Sequence, residues 1–230
     1  MPVRFAIYLV PPPASTLWER GCRWLGRDPE SGVVYAQPVV PGMTADEIRA
    51  LTRSPGTYGF HGTLKAPFRL AEGVDEGELL DRIGHLAGSL PALTMPELKV
   101  DRLSGFLALR PAGHSTAIDA LAERFVTGLD ALRAPIGSSE RARRLSSGLS
   151  ARQQELLEQW GYPYVLEEFR FHMTISGRLD STQADRLRPW IEEWFAPALA
   201  KPPEAMEVGV FVQPVTGAEF TLRRRFMIGT

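Results

Sequence analysis

One short sequence phrase occurs twice in this chain and contains residues that can catalyse proton transfer. Residues 60–64 read Phe-His-Gly-Thr-Leu, and residues 171–175 read Phe-His-Met-Thr-Ile. Both follow the pattern Phe-His-x-Thr-aliphatic, and their histidines, His61 and His172, lie 111 positions apart in a chain of 230 residues. An internal repeat at half-length predicts two similar lobes, each of which brings one imidazole and one hydroxyl to a shared cleft.

Two imidazoles in one cleft can act as a general base and a general acid, because the unperturbed histidine pKa of about 6.5 lies near working pH. In phosphodiester cleavage, the base takes a proton from the attacking water and the acid protonates the leaving oxygen. Thr63 and Thr174 are expected to donate hydrogen bonds to non-bridging phosphate oxygens. We therefore predict His61, His172, Thr63 and Thr174 as catalytic residues. His172 is assigned as the base and His61 as the acid, although the symmetry of the repeat allows either assignment.

Both copies of the phrase are predicted to be strands with one apolar and one polar face, since alternate residues of a strand point to opposite sides. The polar faces carry His61, Thr63 and Lys65 in the first copy and Arg170, His172, Thr174 and Ser176 in the second. The apolar faces would pack on a core. A rigid strand therefore holds each His and Thr side by side.

A third His-x-Thr sequence, His114-Ser115-Thr116, lacks the preceding Phe and follows Pro-Ala-Gly. This context is typical of a helix start, where Ser115 or Thr116 serves as the N-cap. We therefore do not assign His114 to the site, and His85, within a predicted helix, is not assigned either.

Charged and aromatic residues near the repeat are expected to bind substrate. Lys65 and Arg170 lie two positions from Thr63 and His172 on the polar faces. Arg224 lies on an otherwise apolar face of the last predicted strand, where an arginine needs a partner or a ligand, although a bulge or an edge position explains it equally well. The aromatic residues that could stack on a sugar or a base are Tyr8, Tyr58, Tyr162 and Tyr164.

The two motifs and their contexts resemble the paired motifs of the two-histidine phosphoesterase superfamily, which includes the LigT-like cyclic phosphodiesterases. The likeness covers nearly the whole chain and is carried by residues 4–8, 24–28, 61–68, 160–164 and 167–174. Within the superfamily, the chain resembles an uncharacterised branch associated with phosphonate metabolism. The resemblance implies chemistry on phosphoesters without a metal or other cofactor.

The resemblance also implies an α+β fold, with two pseudo-symmetric antiparallel sheets and flanking helices around a central cleft. We expect residues 1–230 to form a single bilobal domain. An Arg-rich helical insertion at about 133–165 breaks the symmetry between the lobes. It would either cap the cleft and bind a second phosphate or form a solvated excursion, and the second is favoured because arginines on helix faces are usually exposed.

Periodicity and turn residues predict short strands interleaved with helices, as expected for an α+β sheet architecture. The predicted strands are 4–10, the two His-x-Thr segments, a hairpin at 96–110, and two strands near 205–213 and 218–228. The predicted helices are 15–25, 44–53, 75–90, 115–132, 150–160 and 181–194.

Composition and charge favour a soluble, cytoplasmic protein. The formal net charge of −1 disfavours nucleic acid as a partner. The single cysteine, Cys22, permits no intrachain disulfide, and no Cys/His cluster has zinc spacing. The apolar run 5–10 is too short for a signal peptide, and no run approaches the ~20 residues of a membrane span. The expected partner is a small phosphorylated substrate, such as a ribosyl or nucleotide cyclic phosphate.

Three functions are compatible with these residues. The first is a phosphoric diester hydrolase of the cyclic phosphodiesterase type, with a role in phosphonate catabolism. The second is an RNA-end phosphodiesterase or 2′-5′ RNA ligase, which would need an extended basic and aromatic groove. The third is a protein that binds a phosphoryl ligand without catalysis. A nucleoside triphosphatase is disfavoured because none of the glycines forms a phosphate-binding loop.

Overall fold

The computed structural model describes residues 3–203 and 205–229, and its strands form one continuous sheet. The strands are β1 (Arg4–Val10), β2 (Gly62–Phe68), β3 (Leu98–Leu103), β4 (Phe106–Pro111), β5 (Met173–Thr174), β6 (Glu207–Gln213) and β7 (Thr221–Phe226). They are ordered β3-β4-β5-β2-β1-β6-β7, and every neighbouring pair is antiparallel. The predicted α+β class is confirmed.

Six of the seven helices that the structure describes lie in predicted helical segments, whereas the helix at 138–145 was not predicted. The helices are α1 (Thr16–Leu25), α2 (Ala45–Tyr58), α3 (Glu76–Ser89), α4 (Thr116–Gly128), α5 (Ser138–Leu145), α6 (Ala151–Trp160) and α7 (Ser181–Leu199). Ser15, Thr44, Ser115 and Ser150 each accept a backbone hydrogen bond from the first turn, as N-cap side chains do. Among the described residues, no helix combines the length and the apolar character needed to cross a membrane.

The prediction of two separate sheets is wrong, because β5 joins the two halves into one. Met173 of β5 pairs with Gly62 of β2, and it also pairs with Leu109 of β4. Gly62 makes this junction possible, since a Cβ at that position would lie 2.3 Å from the ring of Phe171. A residue with a side chain would therefore push the two strands apart.

Two helices cover the apolar face of the repeated motifs. Phe60, Phe171 and Met173 are all buried, and the ring of Phe60 stacks on that of Phe195 in α7 at 6.1 Å. The indole of Trp24 in α1 donates a hydrogen bond of 2.7 Å to the carbonyl of Ile175. Burial of each large side chain contributes roughly 1.5–3 kcal/mol. This packing fixes which face of each motif remains available for chemistry.

Several element boundaries differ from the predictions. β5 has two residues, although the alternation of residues 169–175 predicts a longer strand. α2 continues to Tyr58 through Pro55, and α7 continues to Leu199 through two prolines. The Arg-rich stretch forms α5 and α6 followed by a 3-10 turn at Leu166–Glu168. Tertiary packing therefore sets these ends more than local residue preference does.

Candidate active site

The two His-x-Thr motifs lie side by side in the sheet. Since Gly62 is opposite Met173, extending the antiparallel register by one residue places Thr63 opposite His172 and His61 opposite Thr174. Directly opposed residues share a face of the sheet, and diagonal residues have Cβ atoms about 7–8 Å apart or less. Positive charge on His172 lowers the pKa of His61, which agrees with this proximity. The structure thus brings the four predicted catalytic residues together.

A backbone carbonyl holds each imidazole in the same way. His61 Nδ1 lies 2.9 Å from the carbonyl oxygen of Gly59, and His172 Nδ1 lies 2.6 Å from that of Arg170. Because a carbonyl can only accept, each Nδ1 carries a proton, and Nε2 is the basic nitrogen of the neutral ring. His61 Nε2 therefore accepts a hydrogen bond from the hydroxyl of Thr63 at 3.1 Å. In both motifs the acceptor carbonyl lies two residues before the histidine.

Burial keeps both imidazoles in the neutral form. It lowers the pKa of His61 to about 4, and the charge on His172 adds to this effect. The pKa of His172 is also lowered, first by burial and then by the positive charge of Arg110. An anionic ligand between the rings would oppose both effects and raise the two pKa values.

Tyr8 and Tyr58, predicted to stack on substrate, pack around the His61 ring. The ring of Tyr8 stacks on His61, and burial raises the pKa of its hydroxyl, which stays protonated. Tyr58 lies 6.3 Å from His61 and stacks on Phe220 at 5.2 Å. These contacts place His61 in an aromatic wall between β1, α2 and the β6–β7 hairpin.

A cavity of about 290 Å³ adjoins the motifs. Thr63 and His172 line its floor, and Phe106, Tyr162 and Tyr164 form aromatic walls. Arg170 and Arg178 also line this cavity. His61 is not among the lining residues, but its Nε2 lies 3.1 Å from the hydroxyl of Thr63, which is.

Lys65 points into the protein instead of the cavity. Its ammonium group donates a hydrogen bond of 2.9 Å to the carbonyl of Val126 at the end of α4 and lies 4.0 Å from Asp130. Burial lowers the pKa of Lys65 to about 8. The structure does not place this residue among those that line the cavity beside His172.

Arg224 is exposed, and its guanidinium lies 5.1 Å from the ring centre of Phe226. The pairing of β6 with β7 shifts register between Val210 and Phe211, which marks a bulge in β7. Without this bulge, regular alternation would place Arg224 on the apolar face. β7 is also an edge strand. Arg224 does not line the cavity.

The Arg-rich insertion contributes aromatic residues to the cavity and uses its arginines for pairing. Arg144 lies 4.7 Å from the ring centre of Tyr162, whose ring contacts that of Tyr164 edge-on at 5.7 Å. Arg141 pairs with Glu158, and Arg152 pairs with Glu155 and Glu167. The segment after α6 therefore forms one wall of the cavity.

Three arginines at or near the site, Arg178 in the cavity lining and also Arg110 and Arg27, were not predicted from the sequence. Extending the β4–β5 register by one residue places Arg110 opposite His172. Buried Arg27 donates hydrogen bonds to the carbonyls of Gly56, Thr57 and Phe220, and so ties the end of α2 to the β6–β7 hairpin. The alternation of residues 106–110 marks Arg110 as sharing a face with Phe106, but the order of the strands was needed to place it beside His172.

The described residues contain no group of three or more His, Cys, Asp or Glu side chains arranged to hold a metal ion. What they do contain is an antiparallel sheet on which paired imidazoles and hydroxyls share one face beside a cavity. This combination defines an α+β protein with a two-histidine site.

The chain belongs to the family described as "Protein of unknown function (DUF1045)", whose model matches residues 63–221. It is 42% identical over 207 residues to the protein of Janthinobacterium sp. (strain Marseille) named ribose 1,5-bisphosphate phosphokinase PhnN, a match that covers 89% of this chain and 46% of that protein. It is 39% identical over 223 residues to the protein of that name from Laribacter hongkongensis (strain HLHK9), covering 96% of this chain and 51% of the relative. The chain thus spans about half the length of these curated relatives.

Among the solved structures similar to the chain are a phosphoesterase and E. coli LigT. A phosphoesterase crystal structure matches over 100% of both chains with a TM-score of 0.40 and 17% identity. E. coli LigT complexed with phosphate matches over 100% of this chain and 99% of that chain, with a TM-score of 0.44 and 14% identity. At these TM-scores the likeness supports no conclusion about the activity of this chain.

Proposed function

We propose that this protein is a metal-independent phosphoesterase that hydrolyses a small cyclic phosphate or phosphodiester with two histidines as general base and general acid. The proposal rests mainly on the register that sets Thr63 beside His172 and His61 beside Thr174. The carbonyls of Gly59 and Arg170 support it further, because they direct both Nε2 atoms away from the backbone.

His61 is the better candidate for the base, which reverses the assignment made from the sequence. Its pKa of about 4 leaves the ring neutral at pH 7, and its unprotonated Nε2 accepts a hydrogen bond from the Thr63 hydroxyl. His172 lines the cavity, so a bound phosphate anion would contact this ring first and raise its pKa. His172 would then carry a proton on both nitrogens and act as the acid.

The reaction proceeds by in-line attack of water on phosphorus. His61 Nε2 takes a proton from the water as the new P–O bond forms, and His172 Nε2 gives a proton to the ester oxygen as the old P–O bond breaks. The hydroxyls of Thr63 and Thr174 donate to the non-bridging oxygens and stabilise the charge on the phosphoryl group. Each proton transfer contributes roughly 10²–10⁴-fold to the rate.

We further propose that the substrate is a phosphorylated ribose. The curated relatives are named for a phosphokinase that acts on ribose 1,5-bisphosphate, and this chain corresponds to about half of each. An esterase that opens a cyclic phosphate of ribose would yield a ribose phosphate monoester, which is the class of compound that the relatives' name describes. The sequence resemblance to a phosphonate-metabolism branch fits the same substrate class.

The test is an assay of the purified protein in EDTA against ribose 1,2-cyclic phosphate and nucleoside 2′,3′-cyclic phosphates, followed by ³¹P NMR. We expect turnover by the wild type and losses of at least about 10²-fold in His61→Ala and His172→Ala. His85→Ala is the matched control, because His85 lies on α3, is exposed, lines neither the cavity nor the cleft that adjoins it, and its Nδ1 lies 2.8 Å from the carbonyl oxygen of Asp81. Losses below about tenfold in both site variants would rule out the acid–base assignment.

Two other functions would use the same residues. The aromatic walls formed by Phe106, Tyr162 and Tyr164 suit a stacked base, which favours a nucleotide or RNA end as the ligand. Preferred turnover of nucleoside cyclic phosphates, with salt-dependent binding of RNA oligomers, would support that function instead. Tight binding of a phosphate ester without turnover between about pH 5 and pH 8 would indicate a binding protein.

A further inference from the structure

A second and larger cleft, of about 580 Å³, adjoins the catalytic cavity and takes no part in the mechanism above. Phe169 and Arg170 line both spaces, so the two adjoin at these residues, close to His172 in the chain. The cationic side chains that line the larger cleft, apart from His114, are Lys99, Arg110 and Arg170. The cleft therefore extends the site toward the β3 edge of the sheet.

A row of directly opposed residues connects the cleft to the catalytic residues. Lys99 of β3 pairs with Arg110 of β4, and the β4–β5 register places Arg110 opposite His172. The row continues to Thr63, which itself pairs with Tyr8 of β1. Opposed residues share a face, and neighbouring strands are about 4.8 Å apart. Arg110 is thus one strand spacing from His172, and Lys99 is two, or about 10 Å.

The cleft has more hydrogen-bond donors than its own carboxylates satisfy. Asp101 accepts from Arg110 Nη1 at 2.7 Å, and Glu167 pairs with Arg152 outside the cleft. Within the described part of the chain, Lys99 and Arg170 have no carboxylate within 4.0 Å, and Arg170 Nη1 donates to the carbonyls of Glu167 and Phe169 while its other N–H groups have no such partner there. The Nε of Arg110 is buried and also has no hydrogen-bond partner there. A buried guanidinium N–H without an acceptor is costly, and an anionic ligand would satisfy it.

We propose that this cleft binds a second phosphate of the substrate, a monoester at the end of the molecule away from the cyclic phosphate. The inference rests on the proposed function, because the cyclic phosphate must occupy the two-histidine cavity. A monoester phosphate offers three acceptor oxygens, enough for Arg110 Nε, Arg170 and Lys99 at once. A pentose with its cyclic phosphate beside His172 extends about one strand spacing, which brings a phosphate on its far carbon to Arg110.

The experiment compares two substrates that differ in one group, ribose 1,2-cyclic phosphate with and without a 5-phosphate. We expect Lys99→Ala to lower the ratio of their kcat/KM values about tenfold, and Lys99→Glu about a hundredfold, chiefly through KM of the phosphorylated substrate. Arg102→Ala is the matched control, because it removes one charge from the opposite face of the same strand. The control should leave the ratio unchanged.

The outcomes separate this inference from the proposed function. If wild type favours the phosphorylated substrate and Lys99→Ala lowers both kcat/KM values equally, the distal phosphate site is refuted while the esterase stands. If neither substrate is turned over, calorimetry with ribose 5-phosphate tests directly whether the cleft binds a phosphate monoester. Binding that weakens at least about fivefold in Lys99→Glu but not in Arg102→Ala supports the site without the esterase. Absence of binding, or equal binding by both variants, overturns the proposed phosphate site.

Discussion

The imidazole of His61 lies against the phenol ring of Tyr8, with ring centroids 3.6 Å apart and planes inclined by 18°. Tyr8 is 1% exposed, and it lies opposite Thr63 in the β1–β2 pairing. The phenol therefore covers one side of the imidazole and keeps water from it. Because burial is the largest cause of the low pKa of His61, Tyr8 helps to hold this ring in its neutral form.

Removal of the Tyr8 ring should raise the pKa of His61. We expect Tyr8→Ala to move it from about 4 toward the ordinary value, because water would reach the ring and stabilise the imidazolium. The pKa is measured by NMR titration of the histidine Cε1 proton. Tyr8→Phe is the control, since it retains the stacked ring. An unchanged His61 pKa in Tyr8→Ala would show that other groups bury this imidazole.

Folding stability should fall on acidification below neutral pH. The folded-state pKa of His61 is about 4, below the unfolded value of about 6.5, so the unfolded state binds more protons between these values. Stability is therefore full above about pH 6.5 and is lost as the pH falls toward 4, by about 2–3 kcal/mol from His61. His172 acts in the same direction. Denaturant midpoints measured across this range should vary less in His61→Gln than in wild type, and equal slopes would contradict this account.

Substitution of Gly62 should damage both motifs together. An added Cβ would lie 2.3 Å from the Phe171 ring, so Gly62→Ala must separate β2 from β5 or displace that ring. We expect a loss of about 1–3 kcal/mol in the free energy of unfolding and a large loss of activity. Gly113→Ala is the control, since its Cβ would meet no described atom within 4 Å. Partial rescue by Phe171→Leu in the Gly62→Ala background would confirm the cause, and full activity of Gly62→Ala would exclude it.

Buried Arg27 should matter more for stability than its exposed neighbour Arg23. Arg27→Met removes the buried guanidinium that donates to the carbonyls of Gly56, Thr57 and Phe220, and we expect a loss of about 2–4 kcal/mol by chemical denaturation. Arg23 lies in the last turn of α1, four residues before Arg27, and pairs with Glu19 at the surface, so Arg23→Met should cost about 1 kcal/mol or less. Similar costs for both variants would contradict the role assigned to Arg27.

Local sequence pattern was sufficient to identify the two His-x-Thr motifs, but not the residues that lie around them. Alternation in the two motifs indicated which face carries His61 and His172, and the capping residues Ser115 and Ser150 marked helix starts correctly. These features depend on residues close together in the chain. Pairing between distant strands is not encoded in that way, so the position of Arg110 beside His172 was not predicted.

Two residues predicted to bind substrate, Lys65 and Arg224, do not line the cavity, because of features that periodicity does not reveal. The β1–β2 register shifts between the Tyr8–Thr63 and Ile7–Lys65 pairs, so Lys65 leaves the face of Thr63, and its ammonium group donates to the Val126 carbonyl at the end of α4. Arg224 follows a bulge, which changes the side to which later residues point. In both cases a tertiary contact or a single extra residue decided the outcome.

The junction at β5 has one further consequence. Met173 and Thr174 make up the whole of this strand. Its pairing with β2 keeps the proposed acid, His172, aligned with the proposed base, His61. A fluctuation that opens these few backbone hydrogen bonds would disable both rings at once. As the temperature rises, enzymatic activity should therefore be lost abruptly, at a lower temperature than the one at which the surrounding helices unfold.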